Sequence, residues 1–433
     1  MNKYLLIIGL VGTALFTACS TADDLISEKP IETPPVEEPK GTALIVEASQ
    51  NSEVPITLGI GSNRGLTRKP LVSGVGNIFT TEDNKYLGVF CLATDPQSNV
   101  SNIPSEISAN KWVKDDATGL LVRFSNVPAK VADGVVTFVD PANTSNPKHY
   151  FYPMGNWMVY NFYSYYPRED DENISFTKGG SGVLVKYITI NGSQDVIWGK
   201  SYQNKAPKVS TANDADPFCA KYFRLKKDSI ANSPDPSGDI SVLYPKMEFE
   251  HLLAQFNFSV EPMDGAWTAI SAANGMAITD MYISNAISNL QLIVANKKNP
   301  GTEGTLSKKD NTTEKLYIKA NGKDYNLFSS TTPLESQVSS IAIKSTSVAV
   351  PGYIMLPPIE GNEDYYELCL EYSIGGEKQK EPMRVKMKRD GGFAKGQVYN
   401  ISVKVRSPQE IFATATLSSW GSPIDVTPYT VEE

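Results

Sequence analysis

KMEFEHLLAQFNFSV, residues 246–260, decides how the rest of the chain reads. Up to Glu250 the apolar side chains Met247 and Phe249 share one parity, whereas Leu252, Ala254, Phe256, Phe258 and Val260 share the other. Successive strand residues point to opposite faces. A strand that changes parity therefore packs its first half against one core and its second half against another, through a bulge or a sheet crossing near Glu250–Leu253. The stretch reads as the seam between two β domains. A single strand buried on both faces, with a turn of helix at HLLAQ, is the alternative.

Downstream of the seam, Tyr366, Leu368, Leu370, Tyr372 and Ile374 alternate with Glu367, Cys369, Glu371 and Ser373, which predicts one buried and one solvated face. Past Gly375-Gly376, Met383, Val385 and Met387 alternate with Arg384, Lys386 and Lys388, so Glu367 and Glu371 are expected to face Arg384–Lys388 across a hairpin. Tyr399, Ile401, Val403 and Val405 make a third such strand, and Ile411–Leu417 a last one before Trp420. Asn321-Gly322, between Leu316–Lys319 and Tyr325–Phe328, is the strongest hairpin signal in the chain. Upstream, Lys85–Ala93 (KYLGVFCLA) and the aromatic run Trp157–Tyr166 are apolar on both faces and belong to an interior, and Val183–Ile190 and Asp195–Trp198 complete the first domain. No segment has helical periodicity beyond a turn or two, and no repeat is visible. The expected fold is all-β, two antiparallel β-sandwich domains in tandem over residues 41–245 and 246–420.

The chain of 433 residues is 41% hydrophobic and 20% charged, an ordinary turn-rich globular composition, and its net charge of −8 excludes an electrostatic grip on nucleic acid or anionic lipid. At the N-terminus, Lys3 precedes an apolar stretch Tyr4–Phe16 that is too short to span a bilayer, and Phe16-Thr17-Ala18-Cys19 ends it. Small residues before a cysteine resemble a bacterial lipobox, with residues 1–18 as signal peptide and Cys19 acylated to anchor the chain in outer-membrane lipid. Residues 19–40 follow, an acidic, proline-rich tether that cannot build a core. Cys91, Cys219 and Cys369 show no CxxC pairing and read as buried free thiols or at most one disulfide.

Residues that would carry chemistry are few. His149 and His251 are a hundred positions apart and read as structural; Asp170-Asp171-Glu172 matches no EF-hand pattern and reads as a solvated turn. No nucleophile, metal or phosphate-loop motif is present, so neither catalysis, a metal nor a cofactor is expected. Trp112, Trp157 and Trp198 are candidates for a sugar-binding platform, although aromatics at period two are usually core.

Several stretches together resemble the fimbrillin family, the subunits of Bacteroidales type V pili. They are the lipobox at Cys19, VPITLGIGSNRGLTR from Val54, YNFYSYYP from Tyr160, DVIWGKS from Asp195, MEFEHLLAQFNFSV from Met247, and GQVYNISVKV from Gly396 with Trp420 near the end. The resemblance implies two transthyretin-like sandwich domains, export as a surface lipoprotein and assembly with other pilus subunits into an adhesive fimbria. It also implies cleavage by an arginine-specific protease, which removes the first strand and opens a groove for a neighbour's strand. In this chain the expected cut is at Arg68, with Arg64 as alternative; both sit in a Gly-containing polar loop, where proteolysis is easiest. The expected donor is the tail 421–433, in which Ile424 and Val426 alternate with polar residues. The alternatives are an uncleaved pilus anchor and a stand-alone surface lipoprotein that binds a host or bacterial ligand, a glycan included.

Overall fold

The computed structural model describes residues 54–60, 86–94, 122–132, 135–140, 147–152, 159–176, 182–202, 245–272, 275–296, 299–321, 323–361, 364–407, 410–419 and 422–423. In chain order the first strands are β1 (Val54–Pro55), β2 (Leu58–Ile60), β3 (Leu87–Thr94), β4 (Val122–Ala132) and β5 (Val135–Phe138). β6 (Phe151–Tyr152), β7 (Val159–Tyr166), β8 (Ile174–Phe176), β9 (Gly182–Thr189) and β10 (Ile197–Tyr202) follow. The quoted stretch supplies β11 (Lys246–His251) and β12 (Ala254–Pro262), and a short helix, α1 (Trp267–Ala272), leads to β13 (Met276–Ala286) and β14 (Asn289–Asn296). Next come β15 (Thr305–Lys308), β16 (Glu314–Tyr317), β17 (Lys319–Ala320), β18 (Ile341–Ala342) and β19 (Val348–Leu356). The last are β20 (Tyr366–Ile374), β21 (Glu377–Lys378), β22 (Met383–Met387), β23 (Val398–Ser407), β24 (Glu410–Ser419) and β25 (Ser422–Pro423). The protein is all-β apart from α1 and short 3-10 turns among the described residues, because its β-branched and aromatic side chains recur at period two and no stripe recurs at the helical period.

Two hydrophobic cores organise these strands. The first lies inside a closed ring in the order β10-β11-β2-β5-β4-β3-β7. The second is enclosed by a six-stranded sheet β17-β19-β12-β23-β24-β25, a sheet β16-β13-β20-β21 joined by β18 and β22, and a four-stranded sheet β15-β14-β9-β8. The seam works as its parity requires: Met247 and Phe249 enter the barrel core, and Leu252, Ala254, Phe256, Phe258 and Val260 enter the second. Leu252 and Leu253 are both buried in the second core, two successive inward side chains where a regular strand allows one, and this shifts the parity.

Three barrel strands serve both cores. Leu87, Val89 and Cys91 of β3 face the barrel, and Phe90 and Leu92 face the second core. In β7, Tyr160, Phe162 and Tyr166 point inward while Tyr163 and Tyr165 point to the second core; in β10, Ile197 and Trp198 divide the same way. This two-sided burial is why these segments read as apolar on both faces.

Four expectations need correction. The sheets are not purely antiparallel, since β2 runs parallel to β11 and β12 parallel to β23. Parallel neighbours need long crossovers, and each of these pairs joins the seam to a segment far along the chain. Residues Val183–Ile190 do not line the barrel core: β9 pairs with β14, and Val183, Val185, Ile188 and Ile190 are buried in the second core. Glu367 does pair with Arg384 (2.9 Å), but Glu371 pairs with Lys378 of β21 (2.6 Å), because the turn after Ile374 is followed at once by a short pairing segment. The face of β20 opposite Tyr366 is not wholly solvated, since Cys369 on it is fully buried opposite Tyr282 and Arg384, a buried free thiol as its lack of a CxxC partner suggested.

Candidate functional site

The N-terminal segment 54–60 is a stave of the barrel with very little pairing of its own. Leu58 and Gly59 pair antiparallel with Val136 and Val135 of β5, and Gly59 and Ile60 pair parallel with Lys246 and Met247 of β11. Before it, Val54 and Pro55 pair with Tyr152 and Phe151, and the Ile56 amide donates to the Tyr150 carbonyl at 2.7 Å. The segment is held mainly by what it buries: Ile56 is 5% exposed and Leu58 0%. Removing two branched aliphatic side chains from water is worth roughly 3–6 kcal/mol together. Without the segment, β11 and β5 face each other across an apolar slot.

On the opposite wall the barrel is fastened to the second core. The Glu303 side chain, 3% exposed, accepts Lys200 Nζ at 2.6 Å, the Tyr163 hydroxyl at 3.1 Å and the Asn296 amide at 3.2 Å. A buried carboxylate is tolerated when its lone pairs are satisfied in this way. Beside it, Trp198 Nε1 donates to the Val294 carbonyl at 2.8 Å. Gly304 lies against the same indole with φ +67°, and a Cβ there would sit 2.6 Å from the ring, so both backbone and packing require glycine.

A second polar node ties β4 to the end of β7. Asn126 is 1% exposed with φ +51°, the left-handed region that asparagine tolerates best among residues with a side chain. Its Nδ2 donates to the Glu169 carbonyl (2.8 Å) and to Asp171 Oδ1 (2.7 Å), and its Oδ1 accepts the Tyr165 hydroxyl (2.9 Å). Arg168 Nε donates to the Asn126 carbonyl at 2.8 Å, and Arg168 also pairs with Asp171 at 3.0 Å. Asp171 lies in the solvated turn expected of it and still lends an oxygen to this clasp. Burial pushes the Tyr165 phenol well above its ordinary range, so it acts as a neutral donor.

His149 is exposed; His251, on the seam, contacts Asp195 through Nδ1, a pairing the sequence does not announce because the partners meet only through the β10–β11 ladder. Among the described residues no three His, Cys, Asp or Glu side chains are gathered as metal ligands. Trp198 is buried core rather than a sugar platform. Glu303 and Asn126 escaped sequence reasoning, since each is a single polar residue in a turn-like context. Cys19, Arg64, Arg68, Ile424 and Val426, and also Trp112, Trp157 and Cys219, lie outside the described residues.

No protein-family model matches the chain, and no curated protein matches it. Among solved structures it is similar to a candidate cell adhesion protein from Bacteroides uniformis ATCC 8492, at 11% identity and a TM-score of 0.41, over 86% of this chain and 99% of that one. It is also similar to the fimbrial anchor protein Mfa2 from Porphyromonas gingivalis, at 8% identity and a TM-score of 0.30, over 85% and 99%. A third is the tip fimbrial protein Mfa3 of the same organism with C-terminal truncation, at 8% identity and a TM-score of 0.33, over 84% and 100%.

Proposed function

We propose that the chain is a structural subunit, stalk or tip, of an adhesive type V fimbria at the cell surface, with two transthyretin-like sandwich domains whose boundary falls in the seam. It is exported as a lipoprotein acylated at Cys19 and held at the outer membrane by residues 19–40. An arginine-specific protease trims it at Arg68 or Arg64, and subunits then polymerise by strand exchange, with Ile424 and Val426 of one tail refilling the gap in the next subunit.

The observation that carries this reading is the place of Ile56 and Leu58. Both are core residues of the barrel, yet both lie upstream of Arg64 and Arg68, so a cut at either arginine severs a buried stave from its fold. A ring that has lost a stave presents two strand edges and an apolar slot, which an extended strand fills. N-terminal sequencing of the mature surface protein tests the reading. A start at Lys69 or Gly65 is expected, and a start at Cys19 in cells that supply the protease favours the second reading, an uncleaved anchor or stand-alone adhesin on the same fold. Pro70, two places beyond the Arg68 bond, is the feature that favours it.

A further inference from the structure

The two edges beside the first strand are not equivalent. Of the seven strands in the ring, β3, β7 and β10 place Phe90, Leu92, Tyr163, Tyr165 and Trp198 in the second core. β11 buries only Met247 and Phe249, both in the barrel core, but it runs directly into β12 and all six of its residues pair with β10. The buried apolar side chains of β4 and β5 belong to the barrel core alone: Phe124, Val127, Ala129 and Val131 from one, Val136 and Phe138 from the other. The backed strands form one continuous wall. The stave β2 sits beyond the end of that wall, with β11, which is laddered to backed β10, on one side and unbacked β5 on the other.

We infer that the gap left by the first strand has one fixed lip, β11, and one hinged lip, the β4–β5 pair beyond Ala129, which closes over an extended strand laid on β11. This rests on the reading that residues upstream of Arg64 leave the barrel. The hinge is placed by what holds β4: the Asn126 node ties it to Tyr165, Glu169 and Asp171, and its ladder to β3 runs on through Val127, Pro128 and Ala129, while β5, once β2 has gone, keeps one ladder, to Ala129–Ala132. The strand that fits is defined by the one it replaces. It presents branched aliphatic side chains at two alternate positions, as Ile56 and Leu58 do and as Ile424 and Val426 are spaced to do. It runs parallel to the fixed lip and antiparallel to the hinged one.

Hydrogen exchange of the full chain, before and after cutting within residues 61–68 by an arginine-specific protease or at an inserted site, reads the two lips separately. After the cut, amides of residues 130–132 and 135–138 are expected to exchange at least about tenfold faster, while those of β7, β10 and β11 stay within about twofold. Adding the peptide VPITLGI, residues 54–60, restores protection to the hinged lip. Equal acceleration of all barrel strands, faster exchange in β11 than in β5, or no change at all overturns the inference. Should the cut chain lose its fold, the uncut Leu58→Ala variant loosens the same stave and must show the same order of exchange; equal acceleration there is again a refutation. Surface protein that keeps Cys19 at its N-terminus counts against the proposed function, whereas the exchange of the engineered cut chain decides the hinge by itself.

Discussion

Leu58→Ala is the most informative single change in the barrel. Leu58 is wholly buried between β5 and β11, so its truncation removes three methyl or methylene groups and leaves a cavity that two flanking strands line. Substitutions of this kind cost about 2–5 kcal/mol, and a three-residue strand with two pairs on each side has little else to hold it. In urea, with a slope of roughly 2–3 kcal/mol/M for a chain of this size, the barrel's unfolding midpoint should fall by about 1–2 M. Ile56→Ala shares the same core and should add less than its separate effect when combined. The assay is near-UV circular dichroism through the barrel tyrosines Tyr160 and Tyr166. A midpoint unchanged to within about 0.2 M, or about 0.5 kcal/mol at that slope, would mean that the segment is a surface attachment and not a buried stave.

Other perturbations probe separate parts of the account. Glu303→Ala leaves Lys200 against Tyr163 without its buried partner and should destabilise by about 2–4 kcal/mol, with little sensitivity to salt; a salt-dependent loss under about 1 kcal/mol would reduce the clasp to a surface pair. Asp280, whose carboxyl is pushed up to about 6 first by burial and further by Glu371 opposite it, favours its protonated form in the folded state. Its contribution is therefore unfavourable above pH 6 and fades as pH falls toward the ordinary carboxylate range, so stability should rise between pH 7 and 5. The shift corresponds to roughly 3 kcal/mol before solvent screening and about 1–2 after it, and Asp280→Asn should raise stability at pH 7 and flatten that slope; an unchanged profile in the variant refutes the assignment. Cys19→Ala should abolish detergent-phase partitioning, and identical partitioning of variant and parent would remove the lipid anchor.

The sequence was most legible where one strand answers to one periodicity. Met247 and Phe249 against Leu252 to Val260 revealed two cores, because parity is a property of the chain itself. KYLGVFCLA was legible for the same reason, with Leu87, Val89 and Cys91 facing one core and Phe90 and Leu92 the other. The parallel pairings were hidden, since nothing local in Leu58–Ile60 says that it will lie beside Lys246. β9 was assigned to the wrong core on sequence adjacency, although its partner β14 is a hundred residues downstream. The polar clasps were hidden too: nothing local marks Glu303 in a Gly-rich turn or Asn126 within a strand as buried, and only the fold surrounds them with Lys200, Tyr163, Tyr165 and Arg168. Of the site, the stave was legible as a short β segment ahead of an arginine loop, while its place in a closed ring was not.

The central claim is that the first strand is replaceable by a strand from another copy. Purified precursor, incubated with an arginine-specific protease and run unboiled in SDS, tests it directly. The account predicts a ladder of SDS-resistant polymer from the full-length chain and monomer only from a chain lacking Ile424–Glu433. Full-length protein that stays monomeric after complete cleavage, or truncated protein that polymerises equally well, would contradict it.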